Sequence, residues 1–330
     1  MKRIGVLGAG TWGMALARVL SNAGHQVTVW SALEKEVEEF SATRIHPNLP
    51  GMEIPAAVAF TKSIEEVCTD KEILLFAVPS VFVRSTAKKA APYIPDGQIV
   101  LDVAKGIEPD TLLTMTQIMA EEFQNPTVKL VAFSGPTHAE EVAKDLPTTI
   151  VAACEDKEVS KKVQALFADT CMRVYTNTDV FGVELCGAMK NIMALAAGIA
   201  VGIGYGDNTK AALITRGIAE IARLGLAMGC QVETFLGLTG VGDLIVTATS
   251  IHSRNNRCGM LIGQGVPPQE AIRQVGMVVE GINALPAAMA LKEKYKVEMP
   301  LTEAVNNIVN LGASPLEQVQ LLMHRKNKSE

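Results

Sequence analysis

One lysine stands in a segment that is otherwise almost free of charge. Lys190 lies in a predicted helix over residues 180–204, in which Glu184 is the nearest comparable charge. Burying such an amine is unfavourable unless it is paired, neutral or exposed to a cavity. The alternative is a structural lysine, whose stem covers apolar surface while its amine reaches solvent. An isolated amine of this kind is suited to be a proton donor with a lowered pKa. We expect its replacement by methionine to leave folding unchanged or improved.

A second polar group has the composition of an anion site. Ser253, Arg254 and Asn255 combine a hydroxyl, a guanidinium and an amide at the start of a predicted helix. Such donors at a helix N-terminus suit a small phosphate, although a capped helix start explains them equally well. Asp243 lies in a glycine-rich link over residues 238–244 and is either a ligand or a helix cap.

The N-terminus carries a glycine fingerprint, G-x-G-x-x-G, formed by Gly8, Gly10 and Gly13. It follows a predicted strand, opens a predicted helix over residues 12–23, and is completed as a βαβ unit by a second strand. In this context the glycines permit a tight turn and close backbone approach, and the helix N-terminus binds a pyrophosphate. The pattern predicts dinucleotide binding.

The residues after the second strand leave the choice of dinucleotide open. An acid there favours a ribose 2′-hydroxyl, and an arginine favours a 2′-phosphate. Residues 31–35, SALEK, place neither at the expected position; Ser31 and Lys35 are the available partners for a hydroxyl or a phosphate. We expect NAD(H) or NADP(H) to serve, with kcat/KM values within about two orders of magnitude, or ~3 kcal/mol.

Two contrasting halves of the chain position these groups. In the first, strands are predicted at residues 4–8, 27–30, 73–78, 99–103, 130–134, 149–153 and 173–175, with helices at 12–23, 81–91, 112–123 and 158–168. Strands that are apolar on both faces and alternate with helices indicate a parallel sheet covered on both sides. After residue 178 only helices are predicted, at residues 180–204, 211–229, 255–263, 268–275, 282–294, 300–311 and 315–323.

The predicted fold class is therefore α/β. A doubly wound Rossmann-type domain at residues 1–180 binds the dinucleotide, and an all-helical domain at residues 181–330 binds substrate and performs catalysis. Residues 325–330 are expected to form a polar tail. Three segments follow strands at the edge where such sheets bind ligands: residues 78–80, 105–106 and 135–139.

Composition excludes several classes of protein. The 330 residues carry a net charge of −5, which excludes a generally basic protein that coats nucleic acid. The six cysteines are scattered without a C-x-x-C pair, as in a reduced, cytosolic protein, and no metal site is predicted. The longest nearly uncharged run, residues 191–206, is shorter than the ~20 residues of a membrane span, so no membrane insertion is expected.

Seven ordered motifs resemble those of one enzyme family. They are residues 8–13, 105–106, 134–139, 187–191, 240–243, 253–255 and 278–281. Over essentially the whole chain, this order is similar to that of bacterial-type NAD(P)-dependent glycerol-3-phosphate dehydrogenases. The resemblance implies reversible reduction of dihydroxyacetone phosphate to sn-glycerol 3-phosphate, supply of phospholipid synthesis, a cytoplasmic location and a homodimer. Residues 31–33 depart from the many members that carry arginine there.

The same resemblance implies roles for individual residues. Lys190 matches the family's proton donor and acceptor and also contacts substrate. The other implied substrate contacts are Lys105, Gly135, Thr137, Asp243, Ser253, Arg254 and Asn255. The implied cofactor contacts are Gly8, Gly10, Thr11, Trp12, Gly13, Lys105, Ala139, Arg254, Val278 and Glu280.

Two other functions fit many of these features. A 3-hydroxyacid dehydrogenase also has a Rossmann domain, a helical second domain and a lysine on the long helix, but its substrate needs no phosphate. A redox-sensing module would bind NAD(H) without turnover. Oxidation of the reduced nicotinamide, followed with and without dihydroxyacetone phosphate, separates these functions.

Overall fold

The computed structural model describes residues 1–326, so residues 327–330 of the expected polar tail lie outside the described residues. Within the described part, the strands form one eight-stranded sheet in the order β3-β2-β1-β4-β5-β6-β7-β8. They are β1 (Arg3–Leu7), β2 (Gln26–Trp30), β3 (Ala59–Thr61), β4 (Ile73–Phe76), β5 (Ile99–Asp102), β6 (Lys129–Ser134), β7 (Thr148–Ala153) and β8 (Met172–Asn177).

Pairing in the sheet is parallel from β3 through β6. The predicted α/β class, a Rossmann-type domain followed by a helical one, is confirmed. One step departs from the predicted parallel sheet, because β7 runs antiparallel to β6 and parallel to β8. The short edge strand β3 was not predicted from the sequence.

Helices cover both faces of the sheet. They are α1 (Thr11–Asn22), α2 (Glu34–Thr43), α3 (Ile64–Cys68), α4 (Val83–Ala90), α5 (Met115–Phe123), α6 (Ala139–Val142) and α7 (Lys157–Leu166). Alternate strand residues enter opposite cores: Val6 of β1 belongs to the core that includes residues of α1, α6 and α7, whereas Leu7 belongs to the core that includes residues of α3, α4 and α5. This alternation leaves both faces apolar, as expected for strands joined by helical crossovers.

The rest of the described chain is helical. Its helices are α8 (Val180–Ile203), α9 (Asp207–Ala227), α10 (Val232–Leu236), α11 (Asp243–Thr249), α12 (Arg254–Gly263), α13 (Pro268–Val275), α14 (Glu280–Asn283), α15 (Leu285–Tyr295), α16 (Pro300–Leu311) and α17 (Pro315–Met323). The chain divides into two compact units, Met1–Lys105 with Leu113–Glu184 and Gly106–Leu112 with Leu185–Glu330.

Several predicted helices have different bounds in the structure. The helix predicted at residues 282–294 is two helices, α14 and α15, and Pro286 lies in the first turn of the second. The helix predicted from residue 112 begins at Met115, because Thr114 and Gln117 form a capping box there. The link at residues 238–244 is a π-helical turn, Leu238–Gly242, that leads directly into α11.

Helix α8, Val180–Ile203, is longer than the nearly uncharged run at residues 191–206 that was considered from the sequence. By length and composition it could cross a membrane, since its most apolar window has a mean hydropathy of 1.6. However, 78% of that window is buried inside the protein, and it carries the charged residue Lys190. The core helix of a folded domain has the same properties.

A buried carboxyl joins two helices of the second unit. Glu220 of α9 accepts hydrogen bonds from the backbone N–H groups of Leu301 (2.6 Å) and Thr302 (3.2 Å) and from the Thr302 hydroxyl (3.2 Å). These N–H groups belong to the first turn of α16, where helices lack internal acceptors. Burial raises the pKa of Glu220 from 4.5 to about 7, and these hydrogen bonds oppose the shift.

We expect the titration of Glu220 to make stability depend on pH. Between pH 4.5 and about 7 the folded protein holds a proton that the unfolded chain has released, so stability falls as pH rises. Relative to Glu220→Gln, the wild-type free energy of unfolding should fall by up to ~3 kcal/mol across this window. Urea unfolding of both proteins at several pH values measures their free energies of unfolding. A difference between the two free energies that does not change with pH contradicts the prediction.

Candidate active site

The glycine loop between β1 and α1 has the geometry of a dinucleotide-binding turn. Gly8 has φ +122°, and a Cβ there would lie 2.6 Å from the Ala77 carbonyl oxygen. A Cβ on Gly13 would lie 2.3 Å from the Gly8 carbonyl oxygen, so α1 packs directly on the loop. A Cβ on Gly10 would meet no atom within 4 Å, which leaves open space above the turn. A tight turn, open space and close packing are the requirements of this fingerprint.

The start of α1 adds donors to this loop. Gly10 is the N-cap residue and supplies no side-chain cap, and Thr11 and Trp12 begin the first turn. First-turn N–H groups have no acceptor within the helix, and the helix dipole adds positive potential at this end. The loop and helix start therefore fit a pyrophosphate.

At the sheet edge, the structure brings together three of the predicted substrate contacts. The Lys105 ammonium and the Thr137 hydroxyl both donate to the Gly135 carbonyl oxygen, each at 3.2 Å. Lys105 follows β5 and Gly135 follows β6, and these strands are neighbours. Ala139 begins the short helix α6 a few residues later. All lie beyond the carboxyl ends of the parallel strands, where α/β sheets bind ligands.

The end of β2 contains an acid that sequence reasoning missed. The Ser31 hydroxyl donates to the Glu36 carboxylate at 2.5 Å, and it accepts the Leu33 N–H at 3.1 Å. Glu36 belongs to the first turn of α2, five residues after Ser31, and helical winding brings it back toward the strand. A carboxylate is therefore present at the end of the second strand.

In the second unit, Lys190 is part of a buried polar cluster. Its ammonium donates to the Asp243 carboxylate at 2.9 Å and to the Thr247 hydroxyl at 2.6 Å. The Lys190 and Asp243 side chains are 7% and 1% exposed, so the ion pair is shielded from solvent. The expectation of an isolated amine is wrong. A carboxylate at this distance stabilises the ammonium, which is the protonated form that a general acid needs.

Helix α11 places both partners of the lysine. Asp243 is its first residue, and Thr247 lies one turn later on the same face. Thr247 also donates to the Asp243 backbone carbonyl at 2.7 Å, which fixes its hydroxyl beside the ion pair. Glu184, the nearest charge in sequence, accepts instead from Thr114 and Thr116 within the first unit.

The predicted anion site lies at the start of α12. Ser253 is the N-cap residue, and its hydroxyl oxygen accepts the Asn256 N–H at 3.2 Å. Arg254, half-buried, is the first helical residue. The Asn255 amide donates to the Asn191 side-chain oxygen at 2.9 Å and accepts the Gly281 N–H at 2.8 Å. Asn255 thus has a structural role that was not predicted, linking α8 and α14 to this helix start.

That link also places two predicted cofactor contacts. Val278 and Glu280 flank the N-terminus of α14, whose second residue is Gly281. Because Gly281 is hydrogen-bonded to Asn255, this turn is held beside the start of α12.

Helices α8 and α12 cross at backbone contact, which we call the glycine crossing. It consists of Gly198 and Gly202 on α8 and Gly259 and Gly263 on α12. A Cβ on any of these would lie 2.1–2.2 Å from a backbone carbonyl oxygen of the other helix. Only glycine permits so close an approach. The crossing fixes the helix of Lys190 against the helix of Arg254.

Among the described residues, no group of three or more His, Cys, Asp or Glu side chains could hold a metal ion. All six cysteines are free, and five of them are buried. Burial raises the pKa of the Cys68 thiol to about 12, which disfavours the thiolate, the nucleophilic form of cysteine.

Comparison with known proteins identifies a family for the chain. Residues 3–160 match the N-terminal domain, and residues 179–320 the C-terminal domain, of NAD-dependent glycerol-3-phosphate dehydrogenase. The chain is 65% identical to glycerol-3-phosphate dehydrogenase [NAD(P)+] 2 of Lactobacillus delbrueckii subsp. bulgaricus, with 100% of this chain and 99% of that protein covered. The corresponding enzyme of Agathobacter rectalis is 51% identical, over 100% of this chain and 98% of that protein.

A solved structure supports the same relationship. The crystal structure of glycerol-3-phosphate dehydrogenase from Coxiella burnetii superposes with a TM-score of 0.94 and 36% identity, over 98% of this chain and 99% of that one. Sequence and fold therefore agree along the full length, and the chain belongs to the NAD-dependent glycerol-3-phosphate dehydrogenase family.

Proposed function

We propose that the protein catalyses the reversible reduction of dihydroxyacetone phosphate to sn-glycerol 3-phosphate, with Lys190 as the proton donor and acceptor. The observation that carries this proposal is the buried Lys190–Asp243 ion pair, in a chain whose glycine loop fits a dinucleotide. The relatives named as glycerol-3-phosphate dehydrogenases support the substrate.

Bound NAD(H) or NADP(H) supplies or accepts the hydride. In the reducing direction, the Lys190 ammonium donates a proton to the ketone oxygen as it becomes an alkoxide. Asp243 and Thr247 fix the amine and balance its charge in a dry environment, where electrostatic interactions are strong. In the oxidising direction, the neutral amine takes the proton back.

The phosphate is proposed to bind at the start of α12. Arg254 offers a guanidinium, and Ser253 and Asn255 flank it at a helix N-terminus, where an anion is favoured. Binding energy from the phosphate then orients the ketone for reaction. The predicted substrate roles of Lys105, Gly135 and Thr137, and the cofactor roles of Thr11, Trp12, Ala139, Val278 and Glu280, remain part of this proposal.

The same function leads to proposals for the domains, the oligomeric state, the location and the use of the product. We propose that residues 1–180 form the dinucleotide-binding domain and residues 181–330 the substrate-binding and catalytic domain. The protein is proposed to be a cytoplasmic homodimer whose product supplies the glycerol phosphate backbone of phospholipids.

A substrate comparison tests the function. Loss of absorbance at the reduced-nicotinamide band is followed with dihydroxyacetone phosphate, with dihydroxyacetone and with a 3-oxo acid. Because the phosphate orients the ketone, we expect rapid turnover with the first and very poor turnover with the other two. Preference for the 3-oxo acid would indicate a 3-hydroxyacid dehydrogenase. Binding of the cofactor without turnover of any ketone would indicate a redox-sensing module.

A further inference from the structure

The Glu36 carboxylate is held rather than free to swing into solvent. Ser31, which fixes it, is buried, and the Ser31 hydroxyl is itself oriented by the Leu33 N–H. With one oxygen of Glu36 accepting from Ser31 at 2.5 Å, lone pairs on the other oxygen remain suited to hydroxyl donors. The half-buried position of Glu36 keeps part of the group accessible.

The strand end that holds this carboxylate is hydrogen-bonded to the start of the glycine loop. The Gly8 N–H donates to the Trp30 carbonyl at 3.0 Å, so the loop begins next to the residue that precedes Ser31. His46 gives a second link, because its Nε2 donates to the Ala9 carbonyl at 3.2 Å while Nδ1 accepts the Asn48 N–H. Burial lowers the pKa of His46, and the Ala9 hydrogen bond and the charge of Glu36 oppose that shift.

Two cations of this region, Arg44 and Lys62, have other partners. Arg44 donates to the Val58 carbonyl at 2.7 Å and lies over the Phe60 ring. Lys62 forms an ion pair with Glu34. Helix α2 itself is acidic, with Glu34, Glu36, Glu38 and Glu39 against Lys35, which is exposed. The start of α2, next to the end of β2, therefore carries more acidic than basic side chains.

We propose that Glu36 is the residue that selects NAD(H) over NADP(H) in this protein. A carboxylate at the end of the second strand of a Rossmann unit accepts hydrogen bonds from ribose hydroxyls and repels a 2′-phosphate. The inference rests on the proposed function only in taking a nicotinamide dinucleotide as the cofactor. It adds a direction of preference to the sequence-based expectation that both dinucleotides serve.

Direct binding tests the proposal without any turnover. Both tryptophans of the chain are placed to report it, since Trp12 is in the loop helix and Trp30 ends β2. Titrating the wild type with NADH and NADPH and following tryptophan fluorescence should give a Kd at least tenfold lower for NADH. In Glu36→Gln, which keeps an acceptor for Ser31 but removes the charge, this ratio should move at least about fivefold toward NADPH.

Glu38→Gln is the matched control. It removes the same charge from the same helix at an exposed position, and the Kd ratio should stay within about twofold of wild type. Equal binding of both dinucleotides by the wild type, or equal shifts in the two variants, would overturn the proposal. If NADH binds selectively but dihydroxyacetone phosphate is not reduced, the proposed function fails while the role of Glu36 stands.

Discussion

Lys190→Met is expected to lower kcat at least ~10²–10⁴-fold in both directions, the range typical of a lost general acid or base. Methionine preserves the apolar stem and the helix propensity but removes the ammonium that donates to Asp243 and Thr247. Turnover at saturating cofactor, measured as ketone reduction and as alcohol oxidation, checks the prediction. NADH binding should persist, because the glycine loop belongs to the other unit.

The structure corrects the expectation that this substitution leaves folding unchanged. Asp243 would remain buried without the Lys190 ammonium, and breaking a buried ion pair in this way costs about 3–5 kcal/mol. The double variant Lys190→Met/Asp243→Asn removes the stranded charge and should recover part of that stability without recovering turnover. Lys210→Met, which breaks the exposed pair with Asp207, is the matched control. It should change the free energy of unfolding and kcat little. Near-normal kcat in folded Lys190→Met would end the assignment.

Arg254→Ala is expected to lower kcat/KM for dihydroxyacetone phosphate by roughly 30- to 1000-fold, or about 2–4 kcal/mol. The value for dihydroxyacetone, which has no phosphate, should change far less. The physical reason is that binding energy from the phosphate orients the reacting carbon, so its loss reduces turnover as well as affinity. Steady-state kinetics with both ketones measures the change in selectivity.

Arg257→Ala provides the comparison on the same helix. Arg257 lies nearly one turn after Arg254 and is exposed, so its loss should leave the selectivity for phosphate almost intact. If instead Arg254→Ala retains full selectivity, the anion binds elsewhere, and Arg257 and Lys105 become the next residues to test. NADH binding by each variant, measured separately, shows whether cofactor affinity has also changed.

Local signals explain why much of the fold was predictable. Helices α13, α16 and α17 have the predicted bounds, because each begins with proline in its first turn. The glycine loop was recognisable because its three glycines and the flanking strand and helix are contiguous in sequence. The antiparallel step between β6 and β7 carries no such signal, because an apolar strand has the same pattern in either direction.

The parts of the site that sequence reasoning missed depend on distant residues. Lys190 and Asp243 are 53 positions apart in the sequence, and the hydrogen-bonded residues Asn255 and Asn191 are 64 positions apart. No local periodicity encodes such pairs, so Lys190 was interpreted as isolated, and Asn255 as a phosphate ligand or part of a capped helix start. Glu36 was missed for a different reason. The acid was sought at the end of the strand, whereas it lies on the next helix and is turned back by a hydrogen bond.

The glycine crossing of α8 and α12 restricts how this enzyme can be re-engineered. No layer of side chains separates the two helices at these four glycines. A larger residue would therefore meet the backbone of the other helix, not a side chain that could move aside. It would have to push the helices apart and carry Arg254 away from Lys190. Attempts to admit bulkier phosphorylated ketones should therefore leave these positions unchanged and vary the loops around the helix ends. Libraries that randomise the crossing should yield mostly inactive protein, whereas those that randomise the exposed side of α17 should not.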